Sequence, residues 1–175
     1  MGEHHALHGY PTERMTVVHN GIDCDRFRPD SEARQRVRAE WGIRSDEPLV
    51  GLVGRMDPKK DHVNFLKAAA LTKVRHPRAR FVCVGDDPAA YRNTLIAQAE
   101  VLGLSNDLIW SPAKVLVQEV YNACDVVVLS SAFGEGFPNV VGEAMACEKR
   151  CVVTNVGDAA SRSANSVLSC RPAIR

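Results

Sequence analysis

Short apolar runs without polar alternation punctuate this chain. They lie at 49–54 (LVGLVG), 81–85 (FVCVG), 108–110 (LIW), 126–129 (VVVL) and 150–154 (RCVVT). A strand with one wet face alternates apolar and polar residues, whereas a strand covered on both faces does not. Stretches with helical character separate the runs, at about 31–40, 62–75, 89–102, 115–123 and from near Pro138 onward. Strands alternating with helices at this spacing imply βαβ units. The expected fold is therefore α/β, a Rossmann-like parallel sheet with helices on both faces and right-handed crossovers.

Local signals support the boundaries. Asp30 and Ser31 are suited to cap the first helix, and Trp41-Gly42 ends it. Pro77 stops the second helix, whose inner face is expected to carry Val63, Leu66, Ala70 and Val74. The residues 13–19 (ERMTVVH) suggest a further short strand, and Asn20-Gly21 a turn. His62 and His76 fall where the ends of a surface helix are expected. After Asp158 the sequence AASRSANSVLSCRPAIR has no strand–helix pattern, and nothing in it assigns a place in the sheet. Three segments follow: a remnant at 1–13, a domain at 14–158 and an atypical tail at 159–175.

In parallel α/β sheets, ligands bind outside the carboxyl ends of the strands. Polar signals gather at that edge: Arg55 and Lys60 after the first run, Asp86 after the second, and Glu135 to Asn139 after the fourth. The stretch 130–146 (SSAFGEGFPNVVGEAMA) is a glycine-rich loop feeding a helix. Free backbone N–H groups and the helix dipole make such a junction an anion site. Glu135 and Glu143, with seven residues between them, suit hydroxyl groups rather than the anion. Phosphate beside many hydroxyls describes a sugar nucleotide, and Arg55 with Lys60 makes the anion a diphosphate.

Composition narrows the alternatives. Hydrophobic residues make up 45% and charged residues 25%, the balance of a globular protein. A net charge of +1 gives no general field for nucleic acid. No apolar run has the length of a membrane span, and the first residues are too polar for a signal peptide, so a cytoplasmic location is expected. The six cysteines form no C-x-x-C pair. Cys83, Cys124 and Cys151 are expected as small buried hydrophobes. His4, His5 and His8 lack a matching carboxylate or cysteine and suggest a solvated segment rather than a metal site. Asp86 and Asp87 follow no G-x-G-x-x-G, which weighs against a dinucleotide site.

Four segments in order carry a family resemblance: VVHNGIDCDRFRPD, VGLVGRMDPKKDHVNFLKA, FVCVGDD through YNACDVVVLSS, and GEGFPNVVGEAMA. Over residues 14–158 the chain resembles the C-terminal, donor-binding half of a group 1 (family four) retaining glycosyltransferase of the GT-B architecture. The resemblance implies transfer of a sugar, hexosyl in type, from a UDP- or GDP-linked donor to an acceptor hydroxyl in carbohydrate biosynthesis. Arg55 and Lys60 would bind the diphosphate and stabilise it as it leaves. Glu143 would hold the ribose hydroxyls, and Glu135 would orient the transferred sugar. Backbone groups of Gly136, Phe137, Asn139 and Val140 would cradle phosphate and sugar, and residues from Trp110 to Ala113 would lie against the base. No cofactor and no metal ion are implied, since the two cations stand where a metal would otherwise act.

The departures matter equally. The family's N-terminal acceptor domain has no counterpart here, and any peripheral membrane association would run through that absent half. CEKRCVVT differs from the family at Glu148 to Arg150, and the tail replaces the family's last strand and helices. The chain is thus expected to be truncated at both ends and inactive alone. Three readings stay open: a donor-binding half of a transferase, a non-catalytic nucleotide-sugar module, and a truncated product that does not fold. A GT-B sugar-nucleotide epimerase is a further enzymatic alternative.

Overall fold

The apolar runs become adjacent strands of one sheet. The computed structural model describes residues 20–86, 89–136, 138–156 and 167–170, the last four by their backbone. Helix α1 spans Ser31–Glu40, strand β1 Leu49–Val53, and a 3-10 turn Pro58–Lys60 leads into α2, His62–Arg75. Then follow β2 (Arg80–Val84), α3 (Ala89–Val101), β3 (Leu108–Ser111), α4 (Val117–Ala123), β4 (Val126–Leu129), α5 (Asn139–Ala146), β5 (Arg150–Thr154) and β6 (Val167–Cys170). The strand order is β3-β2-β1-β4-β5-β6, and every pairing is parallel. This is the doubly wound arrangement, whose order reverses between β1 and β4.

Two apolar layers cover the sheet, which is why its strands show no alternation. Leu49, Val82, Val84, Val127 and Val153 pack with Val37, Val120, Tyr121 and Ala144 from α1, α4 and α5. Leu52, Phe81, Cys83 and Leu108 pack with Phe65, Leu66, Leu95 and Ala99 from α2 and α3. Asp30 caps α1 by accepting from Ala33 N at 2.8 Å, as its sequence position implies. At the opposite edge from the expected site, Arg34 pairs with Asp125 at 2.6 Å. The same carboxylate accepts from Leu49 N, so the start of β1 is tied to the start of β4.

Several expectations need correcting. The buried face of α2 carries His62, Phe65, Leu66 and Ala69, while Val74 is 81% exposed. Both stripes have helical spacing; the one containing Phe65 removes more apolar area and is the one turned inward. His62 and His76 do stand at the two ends of α2, and His76 is exposed as expected, but His62 is fully buried rather than at the surface. The tail contributes to the sheet after all, because Val167–Cys170 pairs with Cys151 to Thr154 as a parallel edge strand. Its four-residue run is too short and mixed to signal a strand alone; pairing with β5 decides it. The expected strand at 13–19 lies outside the described residues.

The five cysteines whose side chains are described are free, and four of them are buried. Burial pushes the thiols of Cys147 and Cys151 up to about 11 and that of Cys124 up to about 12. They behave as small hydrophobes rather than nucleophiles. Among the described residues, no helix is long and apolar enough to cross a membrane.

Candidate functional site

The loops after β1 and β4 leave neighbouring strands at the point where the strand order reverses, and they interlock. Ala132 N donates to Lys59 O at 2.9 Å, and Ser130 Oγ donates to Lys60 O at 2.7 Å. Gly134 adopts φ 69°, a left-handed conformation that favours glycine, and a Cβ there would lie 3.3 Å from Lys59 Cε. The stem of Lys59 therefore lies against this loop. Asp57 Oδ1 accepts from Lys59 N and shapes the turn, rather than pairing with Arg55. Asp61, at φ 47°, accepts from Asn64 N and starts α2.

This interlocking brings Lys60 to Glu135. Lys60 Nζ donates to Glu135 Oε1 at 2.6 Å, and Ser131 Oγ donates to the same oxygen at 2.6 Å. The Glu135 side chain is only 7% exposed. Burial raises its proton affinity, but the Lys60 ammonium and the Ser131 hydroxyl outweigh that, holding the carboxyl below its ordinary range. A buried carboxylate and an ammonium thus face each other across the switch point, 75 residues apart in sequence.

Helix α5 begins at Asn139 behind Pro138, which supplies no side-chain cap. Its N-terminal end, with Gly136 just before it, carries the positive end of the helix dipole. Asn139 is exposed, whereas Val140 is half-buried against the core. Phe137 lies outside the described residues. Glu143 sits one turn into α5 and accepts from Tyr121 Oη at 2.6 Å. Asn20 Nδ2 donates to Asn139 Oδ1 at 2.9 Å. Sequence reasoning missed both partners: Asn20 is expected only as a turn residue, Tyr121 falls inside the expected helix at 115–123, and neither has a local signal of its role.

Beside this junction is a pocket of about 220 Å³, lined by residues including Val53, Arg55, Val84, Asp86, Ala113 and Lys114. It exists because β1 and β2 exit very close together. A Cβ at Gly85 would lie 2.0 Å from Gly54 O, so only glycine allows that approach. Asp86 Oδ1 accepts from Ala113 N at 3.1 Å and closes the pocket's far side. Arg55 is exposed and has no ion pair among the described residues. Of the stretch expected against the base, Ala113 lines the pocket. Trp110 packs instead against the apolar layer on the other face of the sheet, the one that contains Leu52, Phe81 and Cys83.

A family profile described as "Glycosyl transferases group 1" matches residues 33–165. The chain belongs to the group 1 glycosyltransferases. Among curated relatives of this group 1 glycosyltransferase chain is the D-inositol 3-phosphate glycosyltransferase of Mycolicibacterium smegmatis. It is 35% identical over 157 residues, covering 87% of this chain and 35% of the relative. The chain spans about a third of the length of the curated relatives it matches. Among solved structures, HepE of Anabaena in complex with UDP superposes with a TM-score of 0.90 at 24% identity. That match covers 98% of this chain and 47% of the other. A glycosyltransferase from Rickettsia africae superposes with a TM-score of 0.86 at 22% identity, covering 97% and 47%. The fold is accordingly that of one half of a GT-B glycosyltransferase.

Proposed function

We propose that this group 1 glycosyltransferase domain binds the nucleoside-diphosphate sugar, UDP- or GDP-linked, of a retaining transferase. One observation carries the reading: Lys60, Glu135 and the N-terminus of α5 converge at the switch point, with Glu143 one turn further on. Lys60 and Arg55 supply positive charge to the diphosphate as the glycosidic bond breaks, the role a divalent metal fills elsewhere. The α5 N–H groups take phosphate oxygens. Glu135 accepts from hydroxyls of the transferred sugar, Glu143 from the ribose, and the pocket beside Arg55 receives the base. Catalysis also needs a wall that holds the acceptor, which a second domain supplies in the GT-B architecture. Relatives named as glycosyltransferases, and a fold neighbour solved with UDP-glucose, support this reading.

The test is calorimetric titration of the folded chain with UDP, GDP and ADP in the presence of EDTA. One of them is expected to bind with unit stoichiometry, and Arg55→Ala and Glu143→Ala to weaken it at least about tenfold, a loss of about 1.4 kcal/mol. A folded chain that binds none of the three would refute the proposal.

A further inference from the structure

We infer that Tyr121 is the positioning residue of the ribose subsite: its buried hydroxyl fixes the Glu143 carboxylate so that one oxygen is held and the other is left for a ribose hydroxyl. The inference rests on the donor-site reading above. Tyr121 stands on α4, 1% exposed, with its ring against Phe27 at 6.2 Å between centroids. A buried phenol must find a partner for its hydroxyl. Here that partner is Glu143 Oε2, at 2.6 Å on the neighbouring helix. Burial and the adjacent carboxylate push the phenol's proton affinity up, so Tyr121 keeps its proton and donates it to this bond.

That bond has a geometric consequence. Helical side chains lean toward the N-terminus, so Glu143 reaches back over the first turn of α5. A free glutamate in that place samples many rotamers and must lose them when it binds. With Oε2 fixed by a rigid, packed tyrosine, that loss has already occurred on folding. Among the described residues nothing donates to Oε1. A single fixed acceptor oxygen rejects a nucleotide that lacks the matching hydroxyl, because the carboxylate then stays desolvated and unpaired. Tyr121 thus sets discrimination between ribose and deoxyribose without touching the ligand.

The experiment compares binding of the tightest of UDP, GDP and ADP with binding of its 2′,3′-dideoxy form, in wild type and Tyr121→Phe. Wild type is expected to prefer the ribonucleotide by about tenfold or more. Tyr121→Phe should weaken the ribonucleotide by about tenfold but the dideoxy form by less than about twofold. Equal weakening of both would show a merely structural role and overturn the inference, as would no change in either. Fluorine spectra of 3-fluorotyrosine-labelled wild type do not depend on the variant's folding. Tyr91→Phe and Tyr10→Phe identify the Tyr121 resonance. It should move on addition of the ribonucleotide and not of the dideoxy form; equal movement with both would overturn the inference. If wild type binds no nucleoside diphosphate, the donor-site reading itself fails, and this inference with it.

Discussion

Lys60→Ala is expected to weaken nucleoside-diphosphate binding by about 10- to 100-fold, the worth of roughly 1.5–3 kcal/mol for a hydrogen bond to a charged group. Lys60 has two duties. In the chain as described, its ammonium neutralises Glu135, whose side chain is almost wholly buried. In the donor complex it serves the diphosphate. Removing it leaves Glu135 with the Ser131 hydroxyl and the weaker influence of the Lys59 charge, and an undercompensated buried carboxylate is destabilising. The two duties are separable by experiment. Lys60→Ala/Glu135→Ala should recover stability in urea melts relative to Lys60→Ala, while affinity stays low. If affinity in Lys60→Ala changes less than about twofold, Lys60 does not meet the phosphates. If the double variant restores affinity, Lys60 acts only as a counter-ion.

A second large effect concerns acid stability. His62 is fully buried, edge-on to Tyr91 at 6.5 Å, and among the described residues no group hydrogen-bonds either ring nitrogen. Burial drives its proton affinity down to about 4, from an ordinary 6.5. The nearby Asp61 opposes this shift, the Lys60 ammonium adds to it, and Asp57 opposes it again. The unfolded chain takes up this proton near 6.5, whereas the folded chain refuses it until about 4. Between those values the unfolded state binds more protons, so stability is full above about 6.5 and falls as pH drops toward 4. The loss is worth about 3 kcal/mol. His62→Phe should remove that part of the pH dependence. Urea melts from pH 7 to pH 4 should show wild type losing about 3 kcal/mol more than the variant. Parallel losses would show that His62 is not buried as a neutral group.

These two residues also show what was legible from sequence. The strands were, because burial on both faces writes itself into unbroken apolar runs such as VVVL and FVCV. Loops at the carboxyl ends were also legible, since glycine, proline and charge mark them locally. Hence Lys60, Glu135 and Glu143 could be named before their geometry was known. His62 could not: it follows Lys59, Lys60 and Asp61, a context that looks solvated, and its burial comes from α3 packing across it. The bond from Tyr121 to Glu143 and the contact from Asn20 to Asn139 span 22 and 119 positions. No local pattern encodes such pairs; only helix packing creates them. The strand Val167–Cys170 was hidden for a related reason, since its conformation is set by β5 beside it.

The central claim is that a nucleoside diphosphate binds where the loops after β1 and β4 meet. Backbone amide shift mapping of the isotope-labelled chain during titration with its preferred nucleoside diphosphate tests this most directly. The largest changes should fall on Gly54 to Asp61, on Gly134 to Gly136, and on Asn139 to Glu143. Changes centred instead on the opposite edge of the sheet, around Arg34, Arg38 and Asp125, or in the groove between α2 and α3, would contradict the account.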